Sequence, residues 1–313
     1  METATIEITE LPVAAAAEPP PATQKARPVR EKTQAFVALT KPRIALMLVL
    51  TAAASFYLGS NGKFNFAVFI SAMFAIALLA FGVAALNQFI ERKTDALMRR
   101  TSQRPLPAKK INAAPALFFG ILLCLAAEVY LGMFVNVLTA SLGLTVIIGY
   151  VLLYTPLKTR TSLSTVIGAF PGAMPALMGW TAASNEITIA AWVFFSIMFF
   201  WQFPHFLAIA WIYREEYAKA GIMMLPVVEP SGRLTAQQIV VFSLLLLPIS
   251  LAPFFIALTG WFYLVGALVL GVWFISSSVR FARFKTDAAA KMVFRVSIIY
   301  LPLLFLLAVL NRQ

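Results

Sequence analysis

The chain has 313 residues, of which 61% are hydrophobic and only 12% are charged, whereas a soluble domain carries about 25% charged residues. Because the apolar residues fall in runs of about twenty, this composition excludes an ordinary soluble protein or a β-barrel and indicates a multi-span helical membrane protein. The net charge of +12 fits basic cytoplasmic loops without nucleic-acid binding, and a single cysteine (Cys124) and a single histidine (His205) exclude disulfide frameworks and multi-His metal sites.

Residues 1–34 are rich in Ala, Pro, Glu and Thr. Such a composition cannot bury an apolar core, so we predict a disordered cytoplasmic tail. Its acidic start, with no apolar segment after a basic one, is not that of a secretory signal. Residues 35–313 should then form a single transmembrane domain.

Nine hydrophobic runs in this domain are each long enough for a helix to cross a hydrocarbon core about 30 Å thick. In chain order they are 43–59, 64–90, 112–131, 134–153, 163–181, 188–213, 236–258, 260–280 and 290–310. Of the 25 Lys and Arg residues, 22 lie either between Lys25 and Arg43, at or before the start of run one, or around the segments after runs two, four, six and eight. This alternation predicts a cytoplasmic N-terminus and a C-terminus outside, in the inner or plasma membrane of the cell.

The segments after runs two and six resemble each other. The first opens with Glu91 and Asp95, the second with Glu215 and Glu216, and each passes through a Leu-Pro pair. This pattern indicates a weak duplication of a four-helix unit, with a ninth helix added. We therefore expect an all-α bundle of nine helices around a central cavity, with the two charged helix ends facing each other.

Asn87, Glu91 and Asp95 recur every four residues, which stacks their side chains on one helix face at steps of about 6 Å. Carboxylate and amide oxygens are hard ligands suited to Mg²⁺, which commonly bridges to substrate phosphates. Three arginines, whose side chains can bind phosphate oxygens, follow directly: Arg99, Arg100 and Arg104. The pattern favours a metal–diphosphate site, and ordinary juxtamembrane charge is the alternative.

The segment YTPLK ends run four, and its Tyr154 and Lys158 are four residues apart. On a helix the two side chains would share a face, and Lys158 could supply another phosphate contact. The alternative is a membrane anchor, in which a basic residue and an interfacial tyrosine mark the cytoplasmic side.

His205 lies in an apolar, aromatic run, directly after Pro204. Ionisable residues inside a membrane are costly and indicate function by default. A neutral imidazole can bind haem iron or act as a base. The alternative is a core histidine that bonds a backbone carbonyl.

Three segments carry a resemblance to a known family: NQFIERKTDALMRRTSQRPLP (87–107), YTPLKTRTSLSTVIGAFPGAMPALMGW (154–180) and WQFPHFLAIAWIYREEYAKAGIMMLP (201–226). The first is similar to the Asn/Asp-rich motif of the UbiA-type intramembrane prenyltransferases. WQFPHF is similar to a segment of their haem-modifying branch. From about residue 36 onward the chain resembles the protohaem IX farnesyltransferase (haem O synthase) branch.

This resemblance implies transfer of the farnesyl group of farnesyl diphosphate to a vinyl group of haem b, with water addition, giving haem O and diphosphate. It implies that Asn87, Glu91 and Asp95 are catalytic and hold Mg²⁺ together with the diphosphate. The implied diphosphate contacts are Arg99, Arg104, Tyr154 and Lys158. We hypothesise that His205 contacts the haem. Haem A synthase or the assembly of haem–copper oxidases would be the partners.

The chain departs from the superfamily pattern in the second charged segment. Many members carry a second Asp-x-x-x-Asp there, and the corresponding positions are Tyr213 and Tyr217. Glu215 and Glu216 would form a second acidic rim instead, and Met223 stands where proline is expected.

Two other functions remain open from the sequence. One is a prenyltransferase of the same fold that acts on an aromatic, quinone or chlorophyllide acceptor. The other is a secondary transporter, which should carry its polar residues near the bilayer midplane rather than at one rim.

Overall fold

A computed structural model describes residues 29–313, which fold into a bundle of helices. In chain order these are α1 (Val29–Leu39), α2 (Pro42–Gly59), α3 (Phe66–Ala96), α4 (Ala113–Phe134), α5 (Val137–Val146), a π-helical segment (Ile147–Tyr154), α6 (Thr155–Leu157), α7 (Ser164–Ser184), α8 (Ile189–Ile212), α9 (Arg214–Lys219), α10 (Leu225–Val228), α11 (Arg233–Phe255), α12 (Trp261–Phe284) and α13 (Asp287–Leu310). The all-α prediction is confirmed.

Within residues 29–313, nine spans are long and apolar enough to cross a membrane. They are α2, α3, α4, the continuous stretch from α5 to α6 (Val137–Leu157), α7, α8, α11, α12 and α13. Their outward faces are apolar as well: Val265, Val269 and Val272 of α12 are each more than half exposed. An apolar exterior of this size needs lipid around it, so the chain is a multi-pass membrane protein, as predicted.

The first helix corrects the predicted tail boundary. Residues 29–34, which the composition placed in the tail, form the first part of α1. This helix is ordered because Ala35 and Leu39 are buried against Leu106 and its neighbours in the segment after α3. The rest of the expected tail, residues 1–28, lies outside the described residues.

Spans that follow one another in the chain pack together, both within and between the two predicted four-helix units. Helices α2 to α5 each contact the next span in the chain, and so do α7, α8, α11 and α12. The two units meet where α2 packs on α7, and α13 packs on both α12 and α8. Helix α7, with most of its residues buried, therefore lies at the junction of the units.

Glycines allow the closest helix approaches. A Cβ atom at Gly82 of α3 would lie 2.8 Å from the backbone nitrogen of Cys124 in α4. A Cβ atom at Gly179 of α7 would overlap the carbonyl oxygen of Ala52 in α2. Backbone atoms cannot move aside as a flexible side chain can, so the α2–α7 contact requires glycine at position 179.

Replacing Gly179 by Ala should destabilise the detergent-solubilised protein by about 1–3 kcal/mol, the usual cost of overpacking a tight contact. The measurement is the midpoint of thermal unfolding. Gly132→Ala in α4 is the matched control, because a Cβ atom there meets nothing within 4 Å and alanine favours the helix. Equal midpoints for the two variants would contradict the close α2–α7 contact.

Candidate active site

The predicted stack on α3 forms a polar helix face, which we call the α3 polar face (Asn87, Glu91 and Asp95). Asn87 and Asp95 are only 1% exposed, and Glu91 is half-buried. Each member binds a cation from a different segment. The pairs are Lys41 Nζ with Asn87 Oδ1 at 2.8 Å, Lys158 Nζ with Glu91 Oε1 at 2.6 Å, and Arg104 Nη1 with Asp95 Oδ2 at 2.7 Å.

Lys41 was not predicted as a contact of this face, because its position groups it with the basic residues before the first span. It joins α1 to α2 in the left-handed conformation, with φ 47° and ψ 58°, directly before Pro42. This turn directs its ammonium group to Asn87. Burial, followed by the nearby charge of Arg104, lowers the pKa of Lys41 to about 7.

Lys158 reaches the α3 polar face through the π-helical segment. There the Thr155 hydroxyl donates to the carbonyl of Tyr150, five residues earlier, at 2.7 Å. The same hydroxyl accepts a bond from Asn87 Nδ2 at 3.2 Å. Burial alone would lower the pKa of Lys158, but the Glu91 carboxylate beside it holds that pKa well above its usual value.

Tyr154 and Lys158 lie together, as their spacing predicted. Lys158 Nζ is 4.4 Å from the centroid of the Tyr154 ring, close enough for a cation–π interaction. A Cβ atom at Gly168 of α7 would lie 2.5 Å from the same ring. The glycine thus leaves room for the tyrosine beside the lysine.

The two charged segments face each other, and Arg100 joins them. Its backbone nitrogen donates to Glu216 Oε2 at 3.1 Å, and its guanidinium donates to the Tyr217 hydroxyl at 3.1 Å. The guanidinium also lies 4.6 Å from the centroid of the Tyr213 ring. Tyr213 and Tyr217, the positions that replace the second acidic motif, therefore hold an arginine.

Other predicted residues lie away from these contacts. Arg99 and Glu215 are exposed, and the link between the two segments is made by their neighbours Arg100 and Glu216. Below this link Met98 packs with Ile222 and its neighbours in an apolar cluster. The backbone nitrogen of Met223 donates to the carbonyl of Lys158 at 2.7 Å, which ties the second segment to the Lys158 side.

His205 lies on the part of α8 that packs against α13 rather than among the pairs on α3. Its Nδ1 atom is 2.7 Å from the hydroxyl oxygen of Ser297. The structure thus gives His205 a side-chain partner on another helix, where the alternative interpretation expected a backbone carbonyl.

Residues 48–306 match the model of the UbiA prenyltransferase family. The chain belongs to this family. It is therefore a prenyltransferase, and the transporter alternative falls away. The polar rim on α3, α6 and the segment after α8 is the candidate active site of a UbiA family member.

Curated relatives agree with this assignment over most of their length. The chain is 44% identical to a protohaem IX farnesyltransferase of Solibacter usitatus over 286 residues, which are 88% of this chain and 98% of that protein. It is 41% identical to one of Koribacter versatilis, covering 88% of this chain and 92% of the relative. The resemblance to this branch of the UbiA family is thus confirmed.

Solved structures of membrane proteins share the fold. One of digeranylgeranylglyceryl phosphate synthase superposes with a TM-score of 0.76 at 16% identity, covering 90% of this chain and 98% of that chain. A UbiA homologue from Archaeoglobus fulgidus bound to DMAPP and Mg²⁺ gives a TM-score of 0.62 at 16% identity, covering 88% and 98%. At these identities the likeness supports the nine-helix architecture alone.

Replacing Lys41 by Met should lower the rate of prenyl transfer by about 100-fold, as the loss of one preorganised donor does in other active sites. The rate is measured as product formed in membranes holding equal amounts of each variant. Lys32→Met is the control, because Lys32 is exposed on α1. If both variants react at the same rate, Lys41 is not part of the site.

Proposed function

We propose that this chain transfers the farnesyl group of farnesyl diphosphate to a vinyl group of haem b, with water addition, and releases haem O and diphosphate. The observation that carries the proposal is the α3 polar face, in which each acceptor is bound to a cation from another segment. The names of the curated relatives identify the same reaction.

The donor set on α3 fits Mg²⁺. Two carboxylates and an amide oxygen share one helix face, and the ion prefers hard oxygen ligands. We assign Asn87, Glu91 and Asp95 to hold it, partly through the diphosphate. When bound, the ion would neutralise the diphosphate as its bond to the farnesyl carbon breaks.

The cations that bind the α3 polar face stabilise the departing diphosphate. Lys41, Lys158 and Arg104 lie within hydrogen-bond distance of the α3 polar face, so their donor groups are already assembled where the diphosphate charge develops. A preorganised donor of this kind contributes about 3 kcal/mol in other active sites. Arg99 and Tyr154 are further proposed contacts, and Glu215 and Glu216 form the second acidic rim.

Apolar and aromatic walls suit the two hydrophobic substrates. A dry site keeps water from reacting with the electron-poor farnesyl carbon, and aromatic faces stabilise positive charge. Around His205 lie Trp201, Phe206 and Phe294, a surface that suits the flat haem macrocycle. We propose that His205 binds the haem there.

The proposed location is the inner or plasma membrane, with the N-terminus in the cytoplasm and the C-terminus outside. The polar rim would then face the cytoplasm, where the basic segments lie. Product transfer to haem A synthase or to haem–copper oxidase assembly belongs to the same proposal.

An aromatic or quinone acceptor is the second candidate within the family. The partly open aromatic surface beside His205 favours haem, because a ring nitrogen there can bind iron. Membranes supplied with farnesyl diphosphate and either haem b or a quinone precursor would separate the two. Prenylation of the quinone precursor alone would reject the haem assignment.

Asp95→Ala should reduce Mg²⁺-dependent formation of haem O by at least about 100-fold, because it leaves Arg104 without its acid and removes an oxygen ligand. Haem O is measured by chromatography of membranes given haem b, farnesyl diphosphate and Mg²⁺. Asp287→Ala is the matched control, since Asp287, at the start of α13, also pairs with an arginine: its Oδ1 atom lies 2.7 Å from Nη1 of Arg214. Equal product from Asp95→Ala and wild type would overturn the site.

His205→Ala should weaken the binding of haem b and lower haem O formation, while the affinity for farnesyl diphosphate stays the same. The measurements are absorbance titration with haem b and the Michaelis constant for each substrate. Unchanged haem binding and turnover would remove His205 from the substrate site.

A further inference from the structure

The imidazole of His205 is part of an aromatic surface between α8 and α13. Its ring stacks on Trp201, one turn earlier, with 4.6 Å between centroids and 23° between planes. The rings of Phe206 and Phe294 have centroids 5.3 Å and 5.2 Å away. All four residues are half-buried, so the imidazole is held on several sides without being enclosed.

The contacts of Ser297 assign the tautomer of His205. The Ser297 hydroxyl oxygen lies 2.7 Å from His205 Nδ1 and 2.7 Å from the carbonyl oxygen of Phe294. A carbonyl can only accept, so the one hydroxyl proton goes to Phe294. The hydroxyl oxygen must then accept a bond from a proton on Nδ1. The Nε2 atom of His205 is left with a free lone pair.

Ser297 is itself fixed in place. Its side chain is fully buried in α13, and its carbonyl accepts a bond from Trp201 Nε1 at 2.8 Å. Two side chains of α8 one turn apart, Trp201 and His205, thus bind the same residue of α13. Together these contacts fix the orientation of the imidazole and determine which of its nitrogens carries the proton.

We propose that Ser297 is a positioning residue for the haem substrate: it holds His205 in the tautomer whose Nε2 atom binds the haem iron. This inference rests on the proposed function and deepens it. Histidines that bind metals through one ring nitrogen regularly donate the proton of the other to a fixed oxygen, and loss of that oxygen lowers metal affinity by about 10–100-fold. The half-buried rings of Trp201 and Phe294 supply an aromatic surface beside the imidazole.

The test is absorbance titration of the purified full chain with ferric haem b, read at the Soret and visible bands. Ser297→Ala should weaken haem binding by about 10-fold or more and move the spectrum toward that of His205→Ala. Ser297→Thr, which keeps a hydroxyl, should restore both. Unchanged haem affinity and spectrum in Ser297→Ala would overturn the proposal.

Ser243→Ala is the matched control for folding. Ser243 is also buried, and its hydroxyl bonds Ser278 across α11 and α12 at 2.8 Å, the same kind of interhelical contact without a histidine. It should leave the haem spectrum unchanged. An equal spectral change in Ser243→Ala would mean that any lost interhelical bond has this effect, and it would reject a specific role for Ser297.

The double variant His205→Ala with Ser297→Ala separates positioning from general structure. If Ser297 acts through His205, adding Ser297→Ala to His205→Ala should cause no further loss of haem affinity. An additive loss would contradict the proposal.

Haem O formation by the wild type, measured in the same preparation, tests the proposed function by itself. If the wild type makes haem O while Ser297→Ala binds haem normally, only the role of Ser297 is rejected.

Discussion

A charge at the edge of a hydrocarbon layer has to be paired, and this requirement organises the polar rim of the bundle. An unpaired ion buried there would cost several kcal/mol, so each acceptor on α3 is bound by a cation from elsewhere in the chain. Lys41 comes from the α1–α2 junction, Lys158 from the end of α6, and Arg104 from the segment after α3. Three separate segments are thereby fixed around one helix, and the same contacts assemble the candidate active site.

The candidate substrate contacts lie at similar depths on two helices. Asn87 is nine residues before the end of α3 and His205 is seven before the end of α8, which places them about 13 Å and about 10 Å along their helices. Between these helices lies α7, which packs against both. The proposed contacts for the diphosphate and for the haem thus lie on two helices that both pack against α7.

Hydropathy predicted the nine spans because, in lipid, the backbone N–H and C=O groups of such a segment can form hydrogen bonds only within their own helix. The spacing of Asn87, Glu91 and Asp95 likewise predicted a shared face, since helical geometry is local. The partners of that face were harder to predict. Lys41 reaches Asn87 only through a left-handed turn, and the π-helical segment has no recognised pattern in the sequence. Ser297 meets His205 by a tertiary contact between α13 and α8, which no local spacing encodes.

Gln88, beside Asn87, connects α3 to α1. Gln88 donates its amide to the carbonyl of Leu39 at 2.8 Å, at the last residue of α1, and Lys41 follows two residues later. The N-terminal helix is thus clamped to the helix that bears the acids, on the turn that bears Asn87. A force applied to α1 would therefore reach the turn of α3 that bears Asn87 directly, through the hydrogen bond between Gln88 and Leu39.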